Sequence, residues 1–268
     1  MKILAINGSP RGESSNTQTM LKAFLKGAAA KGAETEIVLL SEKTIHPCKG
    51  CFACWVKTPG ECIQKDDMKE VLKKLWDCDL VIFASPLYVD CVSAQLKTFM
   101  DRMLPGILPN FVKIDGVWRH PLRFETSPKV GVLCNSGFPQ MEHFQVVHHL
   151  FERVVLNMHT EIVMEIYRPG GEILRAKNLL LKPLLLKYKK LLEKAGKEVV
   201  EKGRLSEKLQ KQLEADIVPP DTYIKNANEI RFALPLGNFT GQANGTDEIN
   251  QINENNGRNE RTKNVQKV

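Results

Sequence analysis

The sequence predicts an α/β fold: a three-layer, doubly wound domain around one parallel sheet of strand order 2-1-3-4-5, with a helical extension toward the C-terminal end. Three observations predict it. Short apolar runs alternate with longer amphipathic stretches, the pattern of repeated βαβ units. Three of the runs, Ile3-Leu4-Ala5-Ile6, Leu80-Val81-Ile82-Phe83 and Val130-Gly131-Val132-Leu133, are continuously apolar, as strands covered on both faces should be. Right-handed crossovers leave few orders for five such strands, and 2-1-3-4-5 is the favoured one.

Taken in order, strand one is Lys2–Asn7, followed by a helix over 17–31 on which Leu21, Phe24, Leu25 and Ala28 recur at helical spacing. Strand two covers 36–40. A helix over 66–77 carries Met68, Val71, Leu72 and Leu75 on one face, and strand three is 80–84. A helix over 93–103, strand four at 129–134, a helix over 140–158, strand five at 161–166 and a long helix over 179–201 complete the set. The segment 105–127 is too long for an ordinary connection, and it gathers Phe111, Trp118, His120 and Phe124 among prolines. Insertions of this size are commonly lids or binding loops. The main domain is therefore placed at 1–205, an irregular proline-bearing wrap at 206–236, and an Asn-rich tail at 237–268 whose composition predicts disorder.

The totals, 268 residues with 43% hydrophobic and 26% charged, suit an ordinary globular chain. No apolar run approaches the ~20 residues of a membrane span, and the apolar stretch after Met1 is too short for a signal peptide. Seven cysteines without a secretion signal predict a reducing, cytoplasmic setting. The net charge of +7 is concentrated in the helical stretch 177–211, where Tyr188 is the lone aromatic. With no stacking platform for bases, this reads as a solvated basic face rather than a nucleic-acid surface, leaving an anionic partner or cosubstrate open.

Ligands of such a sheet bind beyond the carboxyl ends of its strands, where strand order reverses. Strand one runs into Asn7-Gly8-Ser9-Pro10-Arg11-Gly12-Glu13-Ser14-Ser15-Asn16-Thr17 and then a helix. Gly8 and Gly12 allow the turns, Ser9, Ser15, Asn16 and Thr17 offer donors and an N-cap, and Arg11 adds charge, so the loop suits a phosphate. An ordinary capped turn is the alternative. The Gly-Lys-Ser/Thr ending of nucleoside triphosphatases and the Gly-x-Gly-x-x-Gly of dinucleotide-binding domains are both missing. After strand two, Cys48, Cys51, Cys54 and Cys62 are spaced Cys-x2-Cys-x2-Cys-x7-Cys. That spacing fits a [4Fe–4S] cluster, with tetrahedral zinc or free redox-active thiols as alternatives. Cys78, Cys91 and Cys134 read as core residues, and His143, His148 and His149 as packing or surface residues.

Gly8-Ser9-Pro10-Arg11 with Ser15-Asn16-Thr17, and Ser85-Pro86-Leu87-Tyr88 followed by Ser93-Ala94-Gln95-Leu96-Lys97 and Asp101-Arg102, resemble the two flavin loops of the NADPH-dependent FMN reductase family. That family lies in the flavodoxin-like superfamily, and the resemblance covers about residues 1–168. It implies a flavodoxin-like fold and an FMN phosphate on Ser9, Arg11, Ser15, Asn16 and Thr17. It also implies an isoalloxazine bordered by the backbone amides of Pro86, Leu87, Tyr88 and Val89 and by the Tyr88 ring. Asn135, Ser136 and Gly137, at the same sheet edge after strand four, become candidates for ring contacts. The iron–sulfur flavoproteins of that superfamily carry a compact cysteine motif where Cys48, Cys51, Cys54 and Cys62 stand. Other relatives keep similar cysteines, with Asp66-Asp67-Met68 after them, without an assured cluster.

Two functions follow as expectations. One is an NAD(P)H-dependent, FMN-containing oxidoreductase, taking hydride from NADPH or NADH and passing electrons to a quinone or free flavin, with no protein group acting as the catalytic residue. The other is an electron-transport protein with FMN and a [4Fe–4S] cluster, supplied by a ferredoxin-like donor. A homodimer is expected in either case, with the aromatic insertion closing its flavin site.

Overall fold

Each run that was apolar without interruption forms a strand buried on both faces. The computed structural model describes residues 1–176 and 178–233. In chain order its first elements are β1 (Lys2–Asn7), α1 (Asn16–Ala29), β2 (Glu34–Leu39), α2 (Ala53–Val56), α3 (Met68–Trp76), β3 (Leu80–Pro86) and α4 (Ala94–Asp101). A hairpin, β4 (Val112–Ile114) and β5 (Val117–Arg119), follows. Next come β6 (Lys129–Asn135), α5 (Gln145–Asn157), β7 (Ile162–Arg168), α6 (Lys182–Lys202), α7 (Glu207–Glu214) and α8 (Pro220–Ala233). The main sheet is parallel in the order β2-β1-β3-β6-β7, the expected order once the hairpin is set aside. Helices pack on both of its faces, so the fold is a three-layer α/β sandwich.

Alternation along the strands assigns the layers. Ile3, Ala5, Ile82 and Ala84 pack with Met20, Leu21 and Phe24 of α1 and Leu192, Ala195 and Val199 of α6. Leu4, Ile6, Val81 and Phe83 face the other way, onto Val71, Leu72 and Leu75 of α3, Leu96 and Phe99 of α4, and Val147 and Phe151 of α5. The cross-layer contact of α1 with α6 is intimate. A Cβ placed on Gly27 would lie 1.9 Å from the Glu193 carbonyl oxygen, and one on Gly196 would lie 2.0 Å from that of Phe24.

One expectation gains detail and one is corrected. The insertion contains the β4–β5 hairpin, joined by Asp115 (φ 49°) and Gly116 (φ 77°). Two successive left-handed residues at a two-residue loop make the hairpin turn that Asp-Gly favours, so its signal stood in the sequence unread. The segment 206–236, read as an irregular wrap, holds α7 and α8 instead. Ser206 caps α7 by accepting from Leu209 N, and Pro220 sits at the start of α8, where proline's missing N–H costs nothing. Met1–Ile224 forms one compact unit, and Lys225–Val268 is a second of which only the first part is described. The Asn-rich tail lies outside the described residues. No helix among the described residues is long and apolar enough to cross a membrane.

On α5, His148 Nδ1 stands 2.9 Å from Glu165 Oε1, which also accepts from the Tyr167 hydroxyl at 2.6 Å. Hydrogen bonding to Glu165 raises the His148 pKa above its ordinary 6.5. A raised folded-state pKa stabilises fully below the unfolded value and fades as pH rises through the folded one. Wild type is therefore expected to lose about 0.5 kcal/mol, reduced by solvent screening, as pH rises from about 6 into the alkaline range. His148→Gln removes that slope, read from urea midpoints across pH.

Candidate functional site

The sheet register sets Asn7 beside Ala84 and Pro86 beside Asn135, so the loops after β1, β3 and β6 emerge side by side at one edge. In the first loop the organiser is Asn7, a fully buried polar residue ending an apolar strand. Its Oδ1 accepts from Ser9 N (2.9 Å), and its Nδ2 donates to Gln18 Oε1 (2.9 Å). Gly12 turns the chain with φ +48°, and a Cβ there would meet Ser41 Oγ at 2.6 Å. Ser15 caps α1, its Oγ accepting from Gln18 N (2.9 Å) and donating to Gly12 O (2.7 Å). The amides of Asn16 and Thr17 then point out of the positive end of α1, the arrangement that attracts an anion. Asn16 is buried, and its Oδ1 has no hydrogen-bond partner among the described residues. An amide group can be turned to present N–H instead, so a bound phosphate would satisfy an otherwise orphaned group. Ser9 and Thr17 are buried, whereas Arg11 is exposed.

The second loop is tied to the first. Gly8 N donates to Ala84 O (2.8 Å), and Ser93 Oγ donates to Gly8 O (2.6 Å) while capping α4. Ser93 N in turn donates to Ser85 Oγ (2.9 Å). Of the backbone donors expected around a ring, Pro86 has none, Leu87 N is given to Asn135 O (2.7 Å) and Tyr88 N to Cys91 O (3.0 Å). Beyond these residues lies the tip of the loop. There Val89 and Asp90 both adopt positive φ (50° and 53°), and the Val89 side chain is fully exposed. A β-branched residue in the left-handed region is strained, and such strain gathers at ligand-binding turns. Tyr88 is exposed beside it.

In the third loop, Asn135 Nδ2 donates to Thr17 Oγ1 (2.8 Å), joining it to the first. Ser136 Oγ accepts from Phe138 N (3.0 Å), and Gly137 O accepts from the Tyr223 hydroxyl (2.9 Å). Asn135 and Ser136 thus hold the loops in register, and Gly137 is exposed. Sequence reasoning missed one bridge here. His143 Nδ1 is 3.0 Å from Asp90 Oδ1, and its ring stacks on Phe138 with centroids 4.1 Å apart, linking the tips of the second and third loops. The organising role of Asn7 was also missed; a polar residue closing an apolar strand was its signal.

The cysteine motif forms a second feature. Gly50 (φ 60°) and Phe52 (φ 52°) turn the chain sharply into the single turn of α2, and Trp55 Nε1 donates to Leu104 O (3.2 Å), pinning that turn to the insertion. Cys48, Cys51, Cys54 and Cys62 line one pocket with Phe52 and Arg102. Cys54 is buried, Cys62 half-buried, and Cys48 and Cys51 are exposed. Burial pushes the Cys54 thiol up, and the neighbouring Cys62, Cys48 and Cys51 sulfurs push it the same way. Four thiols around one pocket are a donor set suited to a cluster or to zinc. Among the described residues no three His, Cys, Asp or Glu side chains are drawn into metal-binding geometry. Cys78 and Cys134 fit the core reading, burial pushing each thiol up to about 12.

Beneath the pocket lies a buried ion pair. Arg102 donates from Nη1 to Asp66 Oδ2 (2.8 Å) and His46 O (2.7 Å), and from Nη2 to Asp66 Oδ1 (3.0 Å). Both side chains are almost wholly inaccessible, 1% for Arg102 and 0% for Asp66. Burial opposes the charge on Asp66, but the Arg102 guanidinium and the His46 and Met68 amides hold its carboxyl below the usual range.

The family model described as NADPH-dependent FMN reductase matches residues 1–161. An iron-sulfur flavoprotein of Methanocaldococcus jannaschii is 45% identical over 105 residues, covering 39% of this chain and 53% of that protein. One of Archaeoglobus fulgidus is 49% identical over 105 residues, covering 39% of this chain and 46% of that protein. The chain spans about half the length of these curated relatives. Among solved structures, an NAD(P)H:quinone oxidoreductase from Methanothermobacter marburgensis superposes with a TM-score of 0.52 at 16% identity, over 74% of this chain and 96% of that one. At that identity the likeness concerns the fold alone.

Proposed function

Because the chain belongs to the NADPH-dependent FMN reductase family, we propose that it is an FMN-containing oxidoreductase that draws electrons from NADPH or NADH and passes them to a small acceptor such as a quinone or free flavin. The observation that carries this is the buried Asn16 Oδ1 without a hydrogen-bond partner among the described residues, at the amino end of α1, in a loop held by Asn7, Ser15 and Asn135. Asn16 and Thr17 amides, the Asn16 side chain and Ser9 would receive the phosphate, with Arg11 closing over it. The strained tip Val89–Asp90 would border the ring, beside Tyr88, with Asn135, Ser136 and Gly137 forming the adjoining wall. FMN, when bound, supplies the hydride-accepting chemistry, and the loops bind and orient it. Phe111 and Trp118, both about two-thirds exposed on the insertion, suit closure of the site by a second copy in a homodimer. Light scattering of the purified protein checks that part, and a monomer counts against it.

Titration with FMN is expected to quench flavin fluorescence, and the loaded protein is expected to oxidise NADPH or NADH. Asn16→Ala weakens FMN binding about tenfold or more, the worth of one charge-assisted hydrogen bond at ~1.5 kcal/mol or above. A protein that quenches no FMN overturns the reading.

A second reading has its own observation, the four thiols on one pocket. In it, Cys48, Cys51, Cys54 and Cys62 hold a [4Fe–4S] cluster, and the protein carries electrons from a ferredoxin-like donor docking on its basic surface. The relatives named iron-sulfur flavoprotein support it. The helix α4 joins the two regions: Ser93 at its amino end holds Gly8, and Asp101 and Arg102 at its other end line the cysteine pocket. Its length, about 12 Å for one short helix, places the two regions within one small body. Anaerobic iron and sulfide analysis separates the readings. Stoichiometric iron favours the carrier, and rapid NAD(P)H oxidation by iron-free protein favours the reductase.

A further inference from the structure

We infer that Arg102, oriented by Asp66, is a positioning residue for the cysteine pocket, supplying a fixed positive charge and an N–H donor to the anionic sulfur of Cys62 and of the cluster it would hold. This rests on the second reading above, that the four cysteines carry a [4Fe–4S] cluster.

Two observations meet at this residue. Arg102 lines the pocket that the four cysteines share. Its Nη1 and Nη2 are spent on Asp66 and the His46 carbonyl, yet its Nε–H is buried with no hydrogen-bond partner among the described residues. A buried donor left without an acceptor costs about 1–3 kcal/mol, so its retention at 1% exposure calls for an anionic acceptor at the pocket. Arginine suits the task because its planar fork can grip a carboxylate with two nitrogens while a third points elsewhere. Asp66 fixes the plane of the fork, and the His46 carbonyl fixes its position along the loop that carries Cys48.

The electrostatic consequence has a definite sign. One-electron reduction of a thiolate-ligated cluster adds one negative charge, and hydrogen bonds and net charge near the sulfurs set its potential. The guanidinium lines the pocket and its Asp66 counter-ion does not, so the pair turns its positive end to the sulfur, stabilises the reduced form more than the oxidised one and raises the potential.

The test uses the full chain, reconstituted anaerobically with iron and sulfide. Midpoint potentials come from spectroelectrochemistry, and iron and sulfide are counted on the same samples. Arg102→Gln alone strands the Asp66 carboxylate, so the paired change Asp66→Asn with Arg102→Gln, which leaves no buried charge, serves as the folding-safe variant. Arg102→Lys keeps the charge and loses the fork. The expected result is wild-type iron content with a more negative potential in the paired variant, and a potential returned part of the way in Arg102→Lys. An iron-loaded paired variant with the wild-type potential overturns the role of Arg102 and leaves the cluster reading standing. Wild-type protein that takes up no iron overturns the cluster reading, and this inference with it.

Discussion

Asp66→Ala is expected to destabilise the protein by about 3–5 kcal/mol, because it leaves the Arg102 guanidinium buried without its counter-ion. The pair is bidentate, at 2.8 and 3.0 Å, and neither side chain reaches solvent. Its removal strands a charge at the junction of three segments: the loop at His46, the start of α3, and the end of α4. The linkage to pH has a clear direction. The Asp66 carboxyl is held below its ordinary value in the fold, so its contribution is present above the unfolded pKa of about 3.9 and is lost as pH falls through the folded one. Wild type should therefore lose stability steeply on acidification below about pH 4, and Asp66→Asn should flatten that limb. Urea unfolding at a series of pH values checks both statements. An Asp66→Ala protein with the wild-type midpoint would mean that the pair contributes nothing.

The second large effect lies on the opposite face of the sheet. Gly196→Ala is expected to cost about 3 kcal/mol, the upper end for overpacking, and to lower Tm by roughly 10 °C. The new Cβ would sit 2.0 Å from the Phe24 carbonyl oxygen and 2.8 Å from Ala28 N, both backbone atoms that no rotamer change can move. Gly27→Ala meets the same obstacle from the other helix, at 1.9 Å from the Glu193 carbonyl. In an isolated helix each substitution would favour helix formation by nearly 1 kcal/mol, so the sign of the measured change separates propensity from contact. Gly203→Ala makes a useful comparison, since a Cβ there meets nothing within 4 Å and the cost is that of its φ of +76°. Thermal melts of the three variants, each with FMN absent, decide the order.

The two effects show where the sequence was informative and where it was not. Ile3-Leu4-Ala5-Ile6 reads as a strand buried on both faces without help from any neighbour, because an uninterrupted apolar run has no solvent side to offer. Leu21, Phe24, Leu25 and Ala28 read as a helix face for the same local reason, and the structure buries all four. Gly27 and Gly196, by contrast, look like helix-weakening residues until the helices that carry them cross. The turn at Asp115-Gly116 was legible but was lost inside a long proline-rich segment. The helices α7 and α8 were hidden because prolines beside them suggested irregular chain. Arg168 helps fix α7, its buried guanidinium donating to the carbonyls of Leu213 (2.9 Å), Glu214 (3.3 Å) and Ala215 (2.9 Å). An arginine at the end of one strand gives no sign that it will cap a helix about 45 residues later.

By itself the sequence determined the fold class and the strand order, because apolar periodicity and turn residues are local properties that act over a few residues. Tertiary structure alone decided how the loops after the strands are tied together. It spent the Leu87 and Tyr88 amides on Asn135 and Cys91 and set Val89 and Asp90 in the left-handed region at the tip of the loop. It also joined Asp90 to Phe138 through His143, and set Arg102 beside Cys62, 40 positions away in the chain. The physical reason is range. Propensity and pattern are fixed by neighbours in sequence, whereas hydrogen-bond satisfaction and buried charge are settled only when distant segments share one dry volume.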